Sequence, residues 1–267
     1  MNARAKPEIE IRVHPHRPSL DERPLAKRVG LIILATDHTT EPDFQRMVAG
    51  DRIGVYVARI EYANPTTPEN LRKMQPALTR GAGLILPGEA LDAICYSCTS
   101  ASAVIGDAEV EAAIHAAKPG VPVVTPTLAS VRGLKALGAR RISVLTPYTL
   151  KTSRPMADYF LAKGFEIVNF TCLGFEDDRE MARIAPAELV SLASQVTAAD
   201  ADALFVSCTA LRAAIAIPQM EKAIGRAVVS SNLATAWNCL RLCGETAPRA
   251  DWGQLMTLPL PAGVQGP

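Results

Sequence analysis

Asp92-Ala-Ile-Cys95-Tyr96-Ser97-Cys98-Thr99 returns as Asp202-Ala-Leu-Phe205-Val206-Ser207-Cys208-Thr209, with Asp, Ala, Ser, Cys and Thr identical at a constant offset of 110 residues. Each copy reads as a short buried strand running into Ser-Cys-Thr. The apolar residues are largely β-branched or aromatic, and the next segments (101–105 and 211–217) are helix-forming, which puts each cysteine where a strand passes into a helix. The unpaired N–H groups of a helix's first turn, with the positive end of its dipole, favour a thiolate there and also suit a substrate carboxylate. Cys98 and Cys208 are therefore candidate catalytic residues, each expected near a helix start with its pKa lowered.

Outward from this octapeptide the alternation continues. Residues 29–35, Val-Gly-Leu-Ile-Ile-Leu-Ala, form an unbroken apolar strand of the kind buried on both faces of a parallel sheet. It ends in Thr36-Asp37-His38-Thr39-Thr40, a polar run at the carboxyl edge of the sheet, where open α/β folds bind ligands. A helix at 41–50, a strand at 53–61 and a helix at 68–86 lead to the first Cys-Thr strand. A helix at 107–117, a strand at 121–125 and a helix at 127–137 come after it.

The pattern then restarts. Arg141-Ile-Ser-Val-Leu matches Arg28-Val-Gly-Leu-Ile at an offset of 113, and Thr146-Pro147-Tyr148-Thr149 supplies the polar turn. A helix to Lys163, a strand at 165–171, the acidic stretch Glu176-Asp177-Asp178 and a helix at 186–198 precede the second Cys-Thr strand. A helix at 210–224, a strand at 227–230 and a helix at 233–242 close the series. Thr125-Pro-Thr-Leu-Ala-Ser and Ser230-Ser-Asn-Leu-Ala-Thr correspond at an offset of 105. Three landmarks in one order amount to an internal duplication, and the β/α alternation implies an α/β fold of two pseudo-symmetric, Rossmann-like, doubly wound parallel-sheet halves. The expected division is an N-terminal arm at 1–27, a first half at 28–125 with 231–245 packing back on it, a second half at 126–230, and a tail at 246–267. A pseudo-two-fold axis would set Cys98 and Cys208 on opposite walls of one cleft.

Composition excludes several classes of function. The 267 residues are 48% hydrophobic with a net charge of +1, and no basic stripe with interleaved aromatics suggests a nucleic-acid partner. No apolar run is long enough to span a bilayer, and the polar, proline-rich first residues do not resemble a signal peptide, so a cytoplasmic protein with no membrane partner is expected. Six cysteines then read as free thiols. Cys95-x-x-Cys98 could be a dithiol pair or half a zinc site, but the odd spacing directs the two side chains apart. Cys239 and Cys243, one helical turn apart, could complete four ligands, yet nothing else at those positions requires it. The expectation is no metal, with Cys95, Cys172, Cys239 and Cys243 as buried apolar thiols. Gly81-x-Gly83 lacks the third glycine and the preceding strand of a nucleotide site. Asp92 and Asp202 precede their strands and are expected to fix turns.

Two thiols in mirrored positions suit carbon-acid chemistry. A carbon next to a carboxylate can lose a proton on one face and regain it on the other when a base and an acid flank it. The same arrangement lets one thiolate add to an activated double bond while the other thiol delivers a proton. Duplication by itself does not explain why Cys and Thr persist where neighbours diverge, as at Cys95 against Phe205 and Tyr96 against Val206.

Cys98-Thr99-Ser100 with Cys208-Thr209, Thr146-Pro147-Tyr148, and Ser230-Ser231-Asn232-x-x-Thr235-x-Trp237 together resemble the aspartate/glutamate racemase superfamily, in its maleate isomerase and arylmalonate decarboxylase branch. More narrowly, Ala35-Thr36-Asp37-His38-Thr39-Thr40 and Ile94-Cys95-Tyr96-Ser97-Cys98-Thr99-Ser100 are similar to the ectoine-utilisation proteins called EutA. The resemblance implies two Rossmann-like halves, no cofactor, a small carboxylate substrate in the cleft and a homodimer. It implies Cys98 as nucleophile, Cys208 as acid and Tyr148 as a carboxylate contact. Asn232 follows its strand in a place equivalent to that of Tyr148, and with Thr39, Thr99, Ser100 and Thr209 it is an expected substrate contact. Where maleate isomerases carry two orienting asparagines, this chain has His38 and, at or near the second, Asp178, with Asp177 as the alternative. That exchange weakens the case for a symmetric dianion and suits a carboxylate with a positive or polar arm. The activity so implied is racemisation or isomerisation, with ectoine or hydroxyectoine breakdown as its setting. Maleate cis-trans isomerisation, decarboxylation of a malonate-like acid and non-catalytic carboxylate binding stand as alternatives, and decarboxylases of the superfamily work with a single cysteine.

Overall fold

The computed structural model describes residues 9–261 and Gly263. In chain order the elements of the first half are β1 (Lys27–Leu34), α1 (Thr40–Met47), β2 (Ile53–Ile60), α2 (Pro68–Arg72), α3 (Gln75–Leu84), β3 (Ala93–Tyr96), α4 (Thr99–Ile105), α5 (Asp107–His115) and β4 (Val123–Val124). After α6 (Pro126–Ala136) come β5 (Arg141–Tyr148), α7 (Leu150–Ala162), β6 (Glu166–Phe175), α8 (Asp178–Met181), α9 (Pro186–Val196), β7 (Ala203–Val206), α10 (Ile217–Ile224), β8 (Ala227–Ser230) and α11 (Ser231–Leu242). The strands make two four-stranded sheets, β2-β1-β3-β4 and β6-β5-β7-β8, and every neighbouring pair is parallel. The two orders are the same order. The α/β architecture of two doubly wound halves read from the alternation is the one observed. Among the described residues, no helix is long and apolar enough to cross a membrane.

Strand β1 shows why its sequence is apolar without interruption. Val29, Leu31 and Ile33 face a core shared with the second half, and Ile32 and Leu34 face a core confined to the first. A strand covered on both sides leaves no position for a polar residue. Cys95 and Cys98 divide between these same two cores, so the thiols of the Cys-x-x-Cys lie on opposite sides of the sheet. The paired aspartates anchor the two central strands. Asp92 accepts the Arg28 N–H (2.8 Å), and Asp202 accepts the N–H groups of Arg140 and Arg141 (2.8 Å each). Those backbone donors hold the Asp202 carboxyl below its ordinary range.

Three expected elements differ in extent. The helix expected at 68–86 is two helices, and Pro76, which lacks an N–H, sits in the first turn of the second, where that loss costs least. The helix expected at 210–224 is likewise broken before Pro218. Residues 210–213 form turns, Ala214–Ala216 a single 3-10 turn, and the α-helix begins only at Ile217. Strand β6 continues past Thr171 to Phe175, accommodated by irregularities in its register against β5.

Of the expected arm at 1–27, residues 1–8 lie outside the described residues, and 9–24 hold no helix or strand and are mostly exposed. In the tail expected at 246–267, Ala262 and 264–267 lie outside them. Leu255 and Met256 are fully buried, and the Leu258 carbonyl accepts from Trp237 Nε1 and Arg241 Nε (2.9 Å each). Helix α11 packs on α6, α1 and β3.

Candidate active site

The carboxyl ends of β1, β2 and β3 meet those of β5, β6 and β7 around a small, narrow cavity. The first half contributes Leu34, Asp37, Tyr62, Thr66, Cys98 and Ser100, and the second Tyr148, Asp178, Met181, Cys208, Thr209 and Ala210. Both repeated cysteines therefore reach one space from equivalent strand ends, and a charge on Cys98 raises the pKa of Cys208.

The duplicated positions are not conformational copies. Cys98 is the extended N-cap of α4, with φ −149° and ψ 108°. Cys208 has φ +100°, in the region that favours glycine, and no α-helix begins directly after it. The expectation of a helix start at each thiol thus holds for Cys98 alone. The Cys208 N–H is satisfied from elsewhere, donating to Ser231 Oγ (3.1 Å), which also accepts from Thr99 Oγ1 (2.8 Å). One hydroxyl at the start of α11 ties the two Cys-Thr segments together.

The expected lowering of the thiol pKa values is reversed. Desolvation pushes Cys98 up to about 11, outweighing the Ala101 N–H and the Ser100 hydroxyl that favour its thiolate, with Asp178 adding to the rise. Burial pushes Cys208 up to about 12, against the opposing pull of the Tyr148 hydroxyl and the Ala210 N–H. A helix start lowers a thiol's pKa where water still reaches the sulfur, but here only 4% of Cys98 and 6% of Cys208 is exposed. Tyr148, enclosed beside Cys208, is raised well above its ordinary value by the same loss of water. The resting pair is two neutral thiols.

Asp178 is 6% exposed and holds its place through neutral donors. Thr36 Oγ1 donates to its Oδ2, and Asn64 Nδ2 donates to its Oδ1 (3.0 Å). Asp177, the alternative for this position, caps α8 and pairs with Arg179 at the surface, held down to about 2 by that guanidinium. The loop after β2 is joined to the second half at the same place. Tyr62 bonds Thr66, Thr66 N–H donates to the Glu176 carbonyl (2.8 Å), and Thr152 Oγ1 donates to the Thr66 carbonyl (2.7 Å).

Of the residues singled out from sequence, Cys98, Ser100, Tyr148, Asp178, Cys208 and Thr209 line the cavity. His38, Thr39, Thr99 and Asn232 do not. His38 lies outside it, at a surface depression with Asp177 and Arg179. The turn directs it outward because Asp37 points inward, accepting from Thr39 N–H, Thr40 N–H and Thr40 Oγ1. Thr39 and Asn232 brace the two halves: Thr39 Oγ1 donates to the Ala210 carbonyl (2.7 Å), and Asn232 Nδ2 donates to Asp43 Oδ2 (2.9 Å) and the Thr209 carbonyl (3.0 Å). Tyr62 and Thr66 are not among the candidates from sequence, although the polar turn after β2 lies at the same sheet edge as the turn after β1. Leu34, Met181 and Ala210 carry no local signal. Among the described residues, no group of three or more His, Cys, Asp or Glu side chains could hold a metal ion. Cys95 instead lies against Cys239, and that neighbouring thiol together with burial keeps Cys239 protonated.

The arylmalonate decarboxylase family model matches residues 84–256, well over half of the chain. The chain belongs to the arylmalonate decarboxylase family. Within this family it is 34% identical to the arylmalonate decarboxylase of Bordetella bronchiseptica over 139 residues, an alignment spanning 51% of this chain and 58% of that enzyme. The maleate isomerase of Nocardia farcinica is 26% identical over 80% of this chain and 89% of its own. Among solved structures, the maleate isomerase of Pseudomonas putida with maleate superimposes with a TM-score of 0.79 at 24% identity, covering 86% of this chain and 97% of that one. A Nocardia farcinica maleate cis-trans isomerase mutant carrying a covalently bound succinylcysteine intermediate gives 0.78, also at 24% identity, over 86% and 98%. These solved isomerases share the two-half fold of this member of the arylmalonate decarboxylase family.

Proposed function

We propose that this chain is an isomerase or racemase that works on a small carboxylate with two thiols, Cys98 and Cys208. The observation that carries this reading is their convergence on one cavity from equivalent strand ends, with Ser100, Tyr148 and Thr209 around them. In the addition route, Cys98 as thiolate forms a bond to one alkene carbon and the electron pair moves toward the neighbouring carboxylate. Cys208 supplies the proton to that second carbon, the former double bond rotates, and elimination returns proton and thiolate. In the proton-transfer route one thiolate removes the proton beside the carboxylate and the opposite thiol replaces it. Both routes use groups that the chain itself supplies.

The proposed setting is breakdown of ectoine or hydroxyectoine, supported by the likeness of residues 35–40 and 94–100 to the ectoine-utilisation proteins. Maleate cis-trans isomerisation is the second reading, favoured by relatives of that name aligned over 80% or more of this chain. Decarboxylation of a malonate-like acid fits less well, since it requires one thiol and the cavity holds two.

Proton NMR in D2O tests the reading. Maleate, ectoine, hydroxyectoine, N-acetylated diaminobutyrate and an arylmalonate would each be incubated with the protein and with its Cys98→Ser and Cys208→Ser variants. Deuterium entering a carbon next to a carboxylate, or cis-trans conversion, is expected with the native protein and lost in both variants. Turnover that survives both replacements would sink the mechanism.

A further inference from the structure

Asp178 stands in the cavity without a cation. It is 6% exposed, its two oxygens accept from Thr36 and Asn64, and it makes no ion pair among the described residues. The adjacent Arg179 is turned to the surface and engaged by Asp177. The Asp37 carboxyl lines the same wall, and its oxygens accept from three donors of its own turn. Arg59, beside that turn, donates to the Asp37 carbonyl (2.9 Å) and pairs with Glu41 outside the cavity. Among the described residues, no Lys, Arg or His lines the space.

A buried carboxylate without a counter-charge is costly, and neutral hydrogen bonds recover only part of the lost hydration. A ligand bearing two carboxylates would set at least one of them against Asp178 with no cation to intervene. A ligand with one carboxylate and one cationic nitrogen relieves the same position, because its carboxylate can take the hydroxyl donors Ser100 and Tyr148 while its cation faces Asp178.

We infer that Asp178 is a specificity-determining residue that selects substrates carrying an ammonium or amidinium group beside a single carboxylate, and rejects dicarboxylate dianions. The inference rests on reading the cavity as the substrate site. It does not depend on which thiol reacts, so it can stand or fall separately from the two-thiol mechanism.

The test compares two probes of nearly equal shape and opposite charge at one end, maleate and cis-4-aminocrotonate. Binding would be measured by isothermal titration calorimetry to the native chain, to Cys98→Ser, which cannot turn either probe over by the proposed route, and to Asp178→Asn. Preference for the aminocrotonate by about tenfold or more is expected in the native chain and in Cys98→Ser, with the ratio collapsing or inverting in Asp178→Asn. Equal or tighter binding of maleate by the native chain, no binding of either probe, or a ratio unmoved in a folded Asp178→Asn would overturn the inference. Should Asp178→Asn fail to fold, the native preference is measured again at rising salt. Selection by a buried carboxylate keeps the aminocrotonate ahead, and a preference that disappears with screening counts against Asp178. Loss of turnover in Cys98→Ser with no charge preference would leave the two-thiol mechanism intact and remove only this inference.

Discussion

Cys98 and Cys208 fill equivalent places in the duplicated fold and opposite regions of backbone conformation, with φ −149° at the first and +100° at the second. An L-residue at the second value is strained, and strain of this kind persists where the surroundings over-determine it. The two thiols are therefore presented to the cavity by different means, one by a helix cap and one by a forced turn.

Glycine substitution separates strain from chemistry. Cys208→Gly is expected to be more stable to urea than Cys208→Ala by about 1 kcal/mol, since glycine adopts positive φ freely. At Cys98, an N-cap at negative φ, alanine meets no such penalty and the glycine advantage is expected to be smaller. An equal glycine advantage at both positions would contradict the conformational difference.

Burial of the thiols makes activity rise with pH. With Cys98 pushed up to about 11, roughly one molecule in a thousand carries its thiolate at pH 8. The rate at low substrate and the rate of iodoacetamide labelling of Cys98 should both climb about tenfold per pH unit between 7 and 10. A plateau already reached at pH 7 would contradict it. The linked effect on stability has the opposite sign: the fold favours the protonated thiols. That contribution is complete below the ordinary thiol value of 9.0 and is lost as pH climbs through 11 and 12. Urea midpoints should fall above pH 9, and fall less when both cysteines are replaced by serine.

Asp43 gives a second pH signature at the junction of the halves. Burial pushes its carboxyl up to about 6, opposed by the Asn232 amide and by Arg46, with Asp37 adding to the rise. The fold therefore favours the protonated acid, and its contribution, on the order of 2–3 kcal/mol, is present below about pH 4 and lost as pH rises through 6. Asp43→Asn should flatten stability across that window. Asn232→Ala removes a donor and should move the window upward, at a cost of about 1–3 kcal/mol at neutral pH.

Ser231 is a positioning residue that does not itself line the cavity. Ser231→Ala leaves the Cys208 N–H without its acceptor and Thr99 without its partner. An expected cost of about 1–3 kcal/mol in stability accompanies a fall in kcat of roughly tenfold with KM little changed. Unchanged kcat in a folded variant would show that Cys208 is held by its turn alone.

Much of this is legible in one dimension. The repeated octapeptide, the uninterrupted apolar strands and the recurring landmarks specify two parallel α/β halves, because a strand buried on both faces leaves the same mark wherever it occurs. Pro76 and Pro218 are equally visible, yet helix-forming neighbours on both sides hide the breaks they make. His38 shows a different limit. Its turn sits at the sheet edge as expected, but which of two adjacent side chains faces inward is set by the hydrogen bonds of Asp37.

By itself the sequence determined the fold class, the pairing of Cys98 with Cys208 and the sheet edge where they meet, since these arise from local pattern and duplication. Tertiary structure alone decided that both thiols rest protonated and that Asp178, not Asp177, enters the cavity. It also decided that Ser231 and Asn232, from late in the chain, fasten the two halves. Desolvation and counter-charge depend on what surrounds a group in space, and partners 114 positions away for Asp178 and 189 for Asn232 supply those surroundings here.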